Sequence, residues 1–208
     1  MSKYTGPKCR LCRREGTKLY LKGERCESQK CAIVRKNYAP GMHGPKGSFS
    51  KKSEYARQLR EKQKAKRIYN LGETQFEAYY EKASKAAEIT SEALLKLLET
   101  RLDNVIYRAG FASSRNQARQ LVGHGLVKLN GRKVSIPSVQ VKVGDKFEIK
   151  PAMKNGAVFS ETTKKKDTSP SWLNVDLKSL NGEVMRRPEK AELESSIAGH
   201  LIVEYYSK

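Results

Sequence analysis

Four cysteines, all near the N-terminus, constrain this 208-residue chain more than any other feature. Their spacing is Cys-x2-Cys-x13-Cys-x4-Cys, and the pattern consists of Cys9, Cys12, Cys26 and Cys31. Residues 1–48 have neither helical nor strand periodicity, and glycine and proline interrupt them repeatedly. Such a pattern predicts irregular loops, so we expect the segment to need a cross-link, such as a bound metal ion, to hold one conformation.

Two close cysteine pairs separated by a loop match the ligand spacing of a tetrahedral zinc site. Four thiolates would leave no coordination position open, so we expect one structural Zn²⁺ ion. An iron–sulfur cluster, two disulfides and free thiols are the alternatives, and disulfides are disfavoured because the N-terminus does not resemble a secretion signal. Basic neighbours would help to keep the thiolates ionised, namely Lys8, Arg10, Arg13, Arg14, Arg25 and Lys30.

The net charge of +20 indicates a polyanionic partner, with nucleic acid ahead of an anionic membrane surface. Residues 1–72 contain 20 Lys and Arg against 5 Asp and Glu, whereas residues 73–208 contain 22 against 17. The first third is therefore a basic arm, and the rest is closer to an ordinary globular chain. Because no apolar run approaches the ~20 residues of a membrane span, we expect a soluble cytoplasmic protein.

Apolar residues at helical spacing predict helices over residues 53–68, 74–85, 91–109 and 114–123. Ser114 and Gln117 form the Ser-x-x-Gln pattern of a capping box at the start of the last of these helices. Arg115 and Arg119 are four residues apart, so we expect them to share a face that points away from the core.

After residue 125 the apolar period changes to two, which predicts strands. Asn130-Gly131 predicts a hairpin between residues 126–129 and 132–135, and Asn181-Gly182 predicts a second one. The alternation at Val139, Val141 and Val143 reads as a further strand, followed by a turn and a strand over residues 146–150. A short helix is expected after Pro188, and residues 201–206 favour a helix over a strand. Residues 151–170, with the Lys164–Lys166 run, read as loop.

Nothing in the sequence predicts catalysis. The three histidines are isolated, and no nucleophile elbow, zinc-protease motif or phosphate-binding loop is present. The glycine-rich segment 41–47 could bring backbone N–H groups close to a phosphate, although a plain flexible loop explains it equally well. We therefore expect neither an enzyme nor a small-molecule substrate.

Basic and amide residues concentrate on the predicted 114–123 helix and the following hairpin. Arginine forks and helix N-termini suit phosphate. In the arm, Arg35 and Lys36 lie beside Tyr38, which would allow stacking as well as charge pairing.

Several motifs together resemble the S-four family of small-subunit ribosomal proteins, and they span nearly the whole chain in order. Residues 101–112 read RLDNVIYRAGFA, which resembles the most distinctive signature of that family. The resemblance continues at LYLKGERC (19–26), YAPGMHG (38–44), ARQLVGHG (118–125), LNGRKVSIPS (129–138) and LIVEYYSK (201–208). With its four cysteines, the chain is similar to the bacterial-type, zinc-bearing branch.

The resemblance implies an α+β fold. It comprises a zinc-stapled extended arm (residues 1–48), a helical domain (49–98 plus 187–208) and an α-L, or S-four type, RNA-binding domain with a small antiparallel sheet (99–186). It further implies a structural protein that binds the 5′ domain of 16S rRNA, nucleates small-subunit assembly and contributes to translational accuracy. The implied neighbours are the fifth and third small-subunit ribosomal proteins and the mRNA where it enters the ribosome.

The charge pattern and the resemblance together nominate the residues that contact RNA: Arg10, Arg13, Arg14, Lys22, Arg25, Arg35, Lys36, His43, Arg57, Arg101, Arg108, Arg115, Gln117, Arg119, Lys128, Asn130, Arg132 and Lys133. Two other classes compete with this reading. An RNA-modifying enzyme or tRNA synthetase would need a catalytic domain for which the chain has no room. A zinc-dependent DNA regulator would need a recognition helix that reads base edges.

Overall fold

The computed structural model describes residues 4–45, 53–154, 159 and 169–207. The chain divides into two compact units, Met1–Leu94 with Glu194–Lys208 and Leu95–Leu193. The basic arm and most of the helical domain, which we predicted as separate regions, fall in the first unit, whereas residues 95–98 and 187–193 of the predicted helical domain fall in the second. The Lys164–Lys166 run lies outside the described residues. Within the described ranges, no helix combines the length and apolarity that crossing a membrane requires.

The arm contains three short helices where irregular loops were expected: α1 (Lys8–Glu15), α2 (Glu24–Glu27) and α3 (Ala32–Arg35). Helix α1 ends at Gly16, whose positive φ of 73° is a conformation that glycine adopts without strain. The Gly16 N–H donates to the Cys12 carbonyl at 2.9 Å. Helix α1 packs against α3 and against α4 (Glu54–Ile68), so tertiary contacts supply what these short segments lack in periodicity.

The rest of the first unit is helical, as predicted. Helix α4 begins at a Ser53 cap, whose hydroxyl accepts the Ala56 N–H at 3.2 Å, and α5 (Glu73–Ser84) follows. The C-terminal helix α9 (Gly199–Tyr206) packs along α4, which confirms the helical reading of the chain end. The Lys62 ammonium lies 4.5 Å from the Tyr205 ring centroid and 5.6 Å from that of Tyr206.

The predicted helix over 91–109 is two helices, α6 (Thr90–Glu99) and α7 (Leu102–Arg108). The chain is extended at Arg101, with φ −70° and ψ 139°, and forms a β-bridge with Gln140 there. The Val141 N–H donates to the Thr100 carbonyl at 2.9 Å, and the Leu102 N–H to the Val139 carbonyl at 2.8 Å. The segment predicted as a strand around Val139 therefore pairs with the helix break instead of joining the sheet. The apolar period continues through the break, so it gives no sign of it.

Helix α8 (Arg115–Gly123) confirms the predicted helix and half of its capping box. The Ser114 hydroxyl accepts the Gln117 N–H at 3.3 Å. The Gln117 side-chain oxygen turns instead to Ser113, whose backbone N–H and hydroxyl each donate to it at 2.7 Å.

The strands of the second unit form one antiparallel sheet in the order β2-β1-β3-β5-β4. Its members are β1 (Val127–Leu129), β2 (Arg132–Val134), β3 (Lys146–Ile149), β4 (Leu173–Asp176) and β5 (Asn181–Val184). Alternate residues such as Val127, Phe147 and Ile149 enter a core that also contains residues of α7 and α8, while Lys128 and Glu148 project from the other side. The expected α+β class, with a helical domain and a small antiparallel sheet, is confirmed.

The two Asn-Gly pairs have different positions. Asn130-Gly131 forms the β1–β2 turn with φ values of 50° and 76°, as predicted. Asn181-Gly182 lies inside β5, so the predicted turn there was wrong, and the chain reverses over residues 177–180. Gly182 pairs with Phe147, and a Cβ added at Gly182 would lie 2.6 Å from the Phe147 Cζ. Glycine is required here because an aromatic ring covers the strand.

The described part of the second unit also contains 3₁₀ turns at Pro151–Met153 and Lys190–Glu192. The latter is the short helix expected after Pro188. Its first turn carries a reciprocal capping box between Glu189 and Glu192.

Candidate RNA-binding site

The nominated RNA-contacting residues lie in both units. Nine belong to the first unit, from Arg10 to Arg57, and nine to the second, from Arg101 to Lys133. The surroundings of the two groups differ, so each group is described separately.

In the second unit, a buried carboxylate organises three of its neighbours. Glu99 is fully buried and accepts two hydrogen bonds from the Arg108 guanidinium, at 2.7 and 2.9 Å. The Asn104 amide donates to the same carboxylate at 2.6 Å. Arg115 lies 3.9 Å from Glu99, donates to the Asn104 carbonyl oxygen at 2.8 Å and stacks 4.6 Å over the Tyr107 ring.

A second carboxylate, Asp103, performs the same role one turn further on. Arg101 donates to both of its oxygens, at 3.0 and 2.7 Å, and Arg119 lies 3.3 Å from it. The Asn104 backbone N–H adds a further bond of 3.0 Å. Such charge-assisted, two-pronged pairs hold a guanidinium in one orientation.

This cluster, defined as Glu99, Asp103, Arg101, Arg108, Arg115 and Arg119, contains four nominated arginines and changes the assignment of two of them. Arg101 is fully buried and Arg115 is 9% exposed, so both hold the fold together instead of presenting their charge. The expected shared outward face of Arg115 and Arg119 was therefore wrong for Arg115. The Arg108 and Arg119 side chains remain 24% and 22% exposed. With four cations and two anions, the cluster carries a formal charge of +2.

The hairpin presents the freer cations of this unit. Arg132 and Lys133 are exposed on the edge strand β2. Lys128 is half-buried and lies 3.5 Å from Glu148. Asn130 maintains the turn, because its amide donates to Asp145 at 2.8 Å and its carbonyl oxygen accepts the Lys146 N–H at 2.9 Å. Gln117 is likewise engaged with Ser113.

In the arm, most nominated residues are exposed: Arg10, Arg14, Lys22, Arg25, Arg35, Lys36 and His43, together with Arg57 on α4. Arg13 differs. It donates to the carbonyls of Tyr38 and Ala39 at 3.0 and 3.3 Å, and its guanidinium lies 4.7 Å from the Tyr38 ring centroid. Arg13 therefore holds the end of the arm.

Sequence reasoning missed the acids that position these cations. Besides Glu99 and Asp103, Glu15 has a side chain only 1% exposed and pairs with Arg60 at 3.4 Å and with Arg67. Burial raises the pKa of Glu15, and the two guanidiniums act against that shift. The available signal for Glu99 and Asp103 was their position, since each acid directly follows an apolar residue of the helical pattern, Leu98 and Leu102 respectively.

The four cysteines lie in the arm as free thiols. Cys12, Cys26 and Cys31 are buried, and Cys9 is partly exposed. Burial raises the pKa of the Cys12 and Cys26 thiols, and repulsion from the other cysteines raises each further. The Lys22 N–H donates to the Cys26 Sγ at 3.4 Å. In the described ranges, no group of three or more His, Cys, Asp or Glu side chains is arranged to hold a metal ion.

Comparison with known families defines the class of protein. The sequence matches the family model described as "Ribosomal protein S4/S9 N-terminal domain" over residues 3–99 and the "S4 domain" over residues 100–147. The second match covers the cluster except Glu99, which ends the first match, and it also covers the hairpin and the start of β3.

Full-length relatives make the assignment more specific. The chain is 52% identical over 210 residues to "Small ribosomal subunit protein uS4" of Heliobacterium modesticaldum and 55% identical over 210 residues to that of Caldicellulosiruptor bescii. It is 54% identical over 209 residues to "Small ribosomal subunit protein uS4A" of Alkaliphilus oremlandii, and each comparison covers 100% of both chains. The chain belongs to the uS4 family of small-ribosomal-subunit proteins. This membership confirms the predicted structural, non-enzymatic role in the ribosome.

Proposed function

We propose that this protein binds the 5′ domain of 16S rRNA and nucleates assembly of the small subunit around it. The observation that carries the proposal is the pair of partly exposed arginines, Arg108 and Arg119, each anchored on a buried carboxylate. A guanidinium that is already anchored loses little conformational freedom when it binds phosphate. The entropy cost of fixing the side chain is therefore small, and more of the interaction energy contributes to affinity.

The mechanism is electrostatic and depends on RNA shape. Exposed cations of the arm and of the β1–β2 hairpin neutralise phosphates where rRNA helices converge. Arg101, Arg115 and Asn104 hold α7 against α8 and thereby fix the spacing of the outer arginines. Their contribution to RNA binding is one of positioning.

A competition experiment tests this function. Labelled 5′-domain rRNA is bound to the full-length protein and challenged with equal masses of unrelated folded RNA and of duplex DNA over a salt series. We expect a large advantage for the 5′-domain RNA at physiological salt. If all three compete equally, the protein has only a generic affinity for polyanions. If duplex DNA competes best, the alternative of a DNA regulator replaces the proposal.

The neighbours in the subunit follow from the family resemblance. We propose contacts with the fifth and third small-subunit ribosomal proteins and with mRNA where it enters the ribosome, together with a contribution to translational accuracy. Chemical cross-linking of assembled subunits, followed by mass spectrometry, tests the protein contacts. Cross-links from this protein exclusively to other neighbours would contradict them.

We also propose that Cys9, Cys12, Cys26 and Cys31 hold one structural Zn²⁺ ion. The donor set fits, because all four sulfurs are free thiols in one short segment and three are buried. Zinc would supply a cross-link that closes the arm, and the thiols would lose their protons on binding it. The electrostatic coupling among the cysteines supports their proximity.

The zinc proposal predicts one ion per chain in protein purified without added metal, and a loss of that ion in a Cys12→Ser variant. A chelator should then expose the arm to proteolysis while the second unit stays folded. Iron in place of zinc, or global unfolding by the chelator, would contradict this proposal.

A further inference from the structure

The first unit contains a cavity of about 740 Å³ that the electrostatic account of RNA binding does not use. Its walls are the C-terminal end of α1, residues 37–44 and the N-terminal half of α4. The volume falls within the range of ~300–1,000 Å³ that is typical of sites for small organic ligands. The lining residues that the structure describes all belong to the first unit.

One wall of the cavity is cationic. Arg60 lines it and is held by the buried Glu15 carboxylate at 3.4 Å, while the exposed Arg14 lies at the rim. Arg67 binds the same carboxylate from outside the cavity lining. Counting Arg13, the lining carries three arginines and one carboxylate, so the cavity favours an anionic group.

The opposite wall combines apolar side chains with Asn37, Tyr38 and His43, and it is built around a fixed loop. Ala56 and Leu59 of α4 lie in the lining together with Pro40 and Met42. Arg13 ties this loop to α1 through the Tyr38 and Ala39 carbonyls. Gly44 permits the loop to close, because a Cβ there would lie 1.9 Å from the Ala39 carbonyl oxygen. A flat, apolar ring system would be accommodated between these surfaces.

We propose that this cavity binds a single unpaired nucleotide of RNA, with its base against the apolar wall and its phosphate between Arg14 and Arg60. The inference rests on the proposed rRNA binding and adds a defined ligand to it. An anionic rim beside a flat apolar surface matches the two parts of a nucleotide. A base within a duplex is stacked on both faces, so only an unstacked nucleotide can enter a cavity of this kind.

The first test fills the cavity without changing its charge. Ala56→Phe places a ring in the apolar wall, and Ala78→Phe, on an exposed position of α5, is the matched control. We expect Ala56→Phe to weaken binding of 5′-domain rRNA by about tenfold, the order of one lost base-stacking contact, with an unchanged salt dependence. Ala78→Phe should bind like the parent protein. Equal affinity of all three proteins overturns the proposal.

The second test does not depend on a substitution in the wall. Met42 lies on the lining and is 90% exposed, so a photoreactive benzophenone side chain in its place should leave the fold intact. Irradiation with 5′-domain rRNA should join the protein to one unpaired nucleotide. Cross-links spread over paired helices overturn the proposal.

Adding a free mononucleotide distinguishes the two possible sources of the ligand. A millimolar nucleoside monophosphate should compete only weakly with the RNA cross-link. If it occupies the cavity without RNA and abolishes the cross-link at micromolar concentration, the ligand is a free nucleotide and the RNA assignment is overturned. The two hypotheses fail separately. Loss of rRNA preference in the parent protein contradicts the proposed function, whereas intact preference together with normal binding by Ala56→Phe contradicts the cavity assignment alone.

Discussion

Arginines in the arm and arginines in the second unit have opposite surroundings. In the arm, Arg10, Arg25 and Arg35 are exposed on short helices. In the second unit, Arg101 and Arg115 are buried beside Glu99 and Asp103. The same residue type therefore presents charge in one region and holds two helices together in the other.

The distribution of acids accounts for this difference. Residues 1–72 contain 20 Lys and Arg but 5 Asp and Glu, so acids are scarce among the cations in this part of the sequence. In the second unit, two carboxylates lie within the core, where a charge is tolerated only with partners. Whether a nominated cation binds RNA or stabilises the fold therefore depends on the acids that lie near it in space.

The largest effect should follow from removing the central carboxylate. Glu99→Ala removes the buried carboxylate to which Arg108 and Asn104 donate and which lies 3.9 Å from Arg115. Breaking such a group typically costs ~3–5 kcal/mol of unfolding free energy. Trp172, the single tryptophan and fully buried in this unit, reports the urea transition by fluorescence.

The matched control is Glu183→Ala in the same unit. Glu183 is 37% exposed and lies 3.9 Å from Lys146, so its loss should change the unfolding free energy by less than about 1 kcal/mol. If both substitutions lowered the unfolding free energy equally, the proposed difference between buried and exposed ion pairs would be wrong.

A measurement of RNA binding tests the exposed cations of the second unit. The double change Arg132→Ala and Lys133→Ala removes exposed hairpin cations. It should lower the slope of log affinity against log salt by about 1–2, as expected for one or two lost phosphate contacts. Fluorescence of Trp172 should show an unchanged urea midpoint.

The arm counterpart, Arg35→Ala with Lys36→Ala, should reduce the salt slope to a similar extent. An unchanged slope for either pair would remove that region from the RNA interface. Changing Arg115 and Arg119 together is less informative, because it strips partners from Glu99 and Asp103 and so mixes binding with stability.

The smallest effect concerns acid stability of the first unit. Burial alone would raise the pKa of Glu73, but hydrogen bonds from Lys62 and Lys66 outweigh it and hold the pKa below its usual value of 4.5. Its contribution is therefore present above about pH 4.5 and is lost as the pH falls through the lowered pKa.

Glu73→Gln should consequently make unfolding less dependent on pH in this acid range, with an effect below about 1 kcal/mol because the carboxylate is 44% exposed. Circular dichroism at several pH values measures it. Glu81→Gln, exposed on the same helix, is the control. A steeper acid loss in Glu73→Gln would reverse the assigned sign.

Local signals predicted much of the fold. Three features could be predicted without tertiary information: the Ser114 cap, the Asn130-Gly131 turn and the helical period of α4. Each of them depends on residues within a few positions of one another. The break at Arg101 was not, because its cause is hydrogen bonding to Val139 and Val141, about forty residues further along the chain. The turn predicted at Asn181-Gly182 was wrong for a similar reason. Gly182 lies within a strand beneath the ring of Phe147, which is distant in the sequence.

In the candidate site, too, some features depend on local sequence and others on tertiary contacts. The sequence by itself determined the family, the excess of positive charge and the grouping of the four cysteines, because these depend on composition and short spacing. Only the tertiary structure decided which arginines point outward, because that depends on where Glu99, Asp103 and Glu15 become buried. A buried carboxylate requires a cation beside it, and folding selects which cation that is.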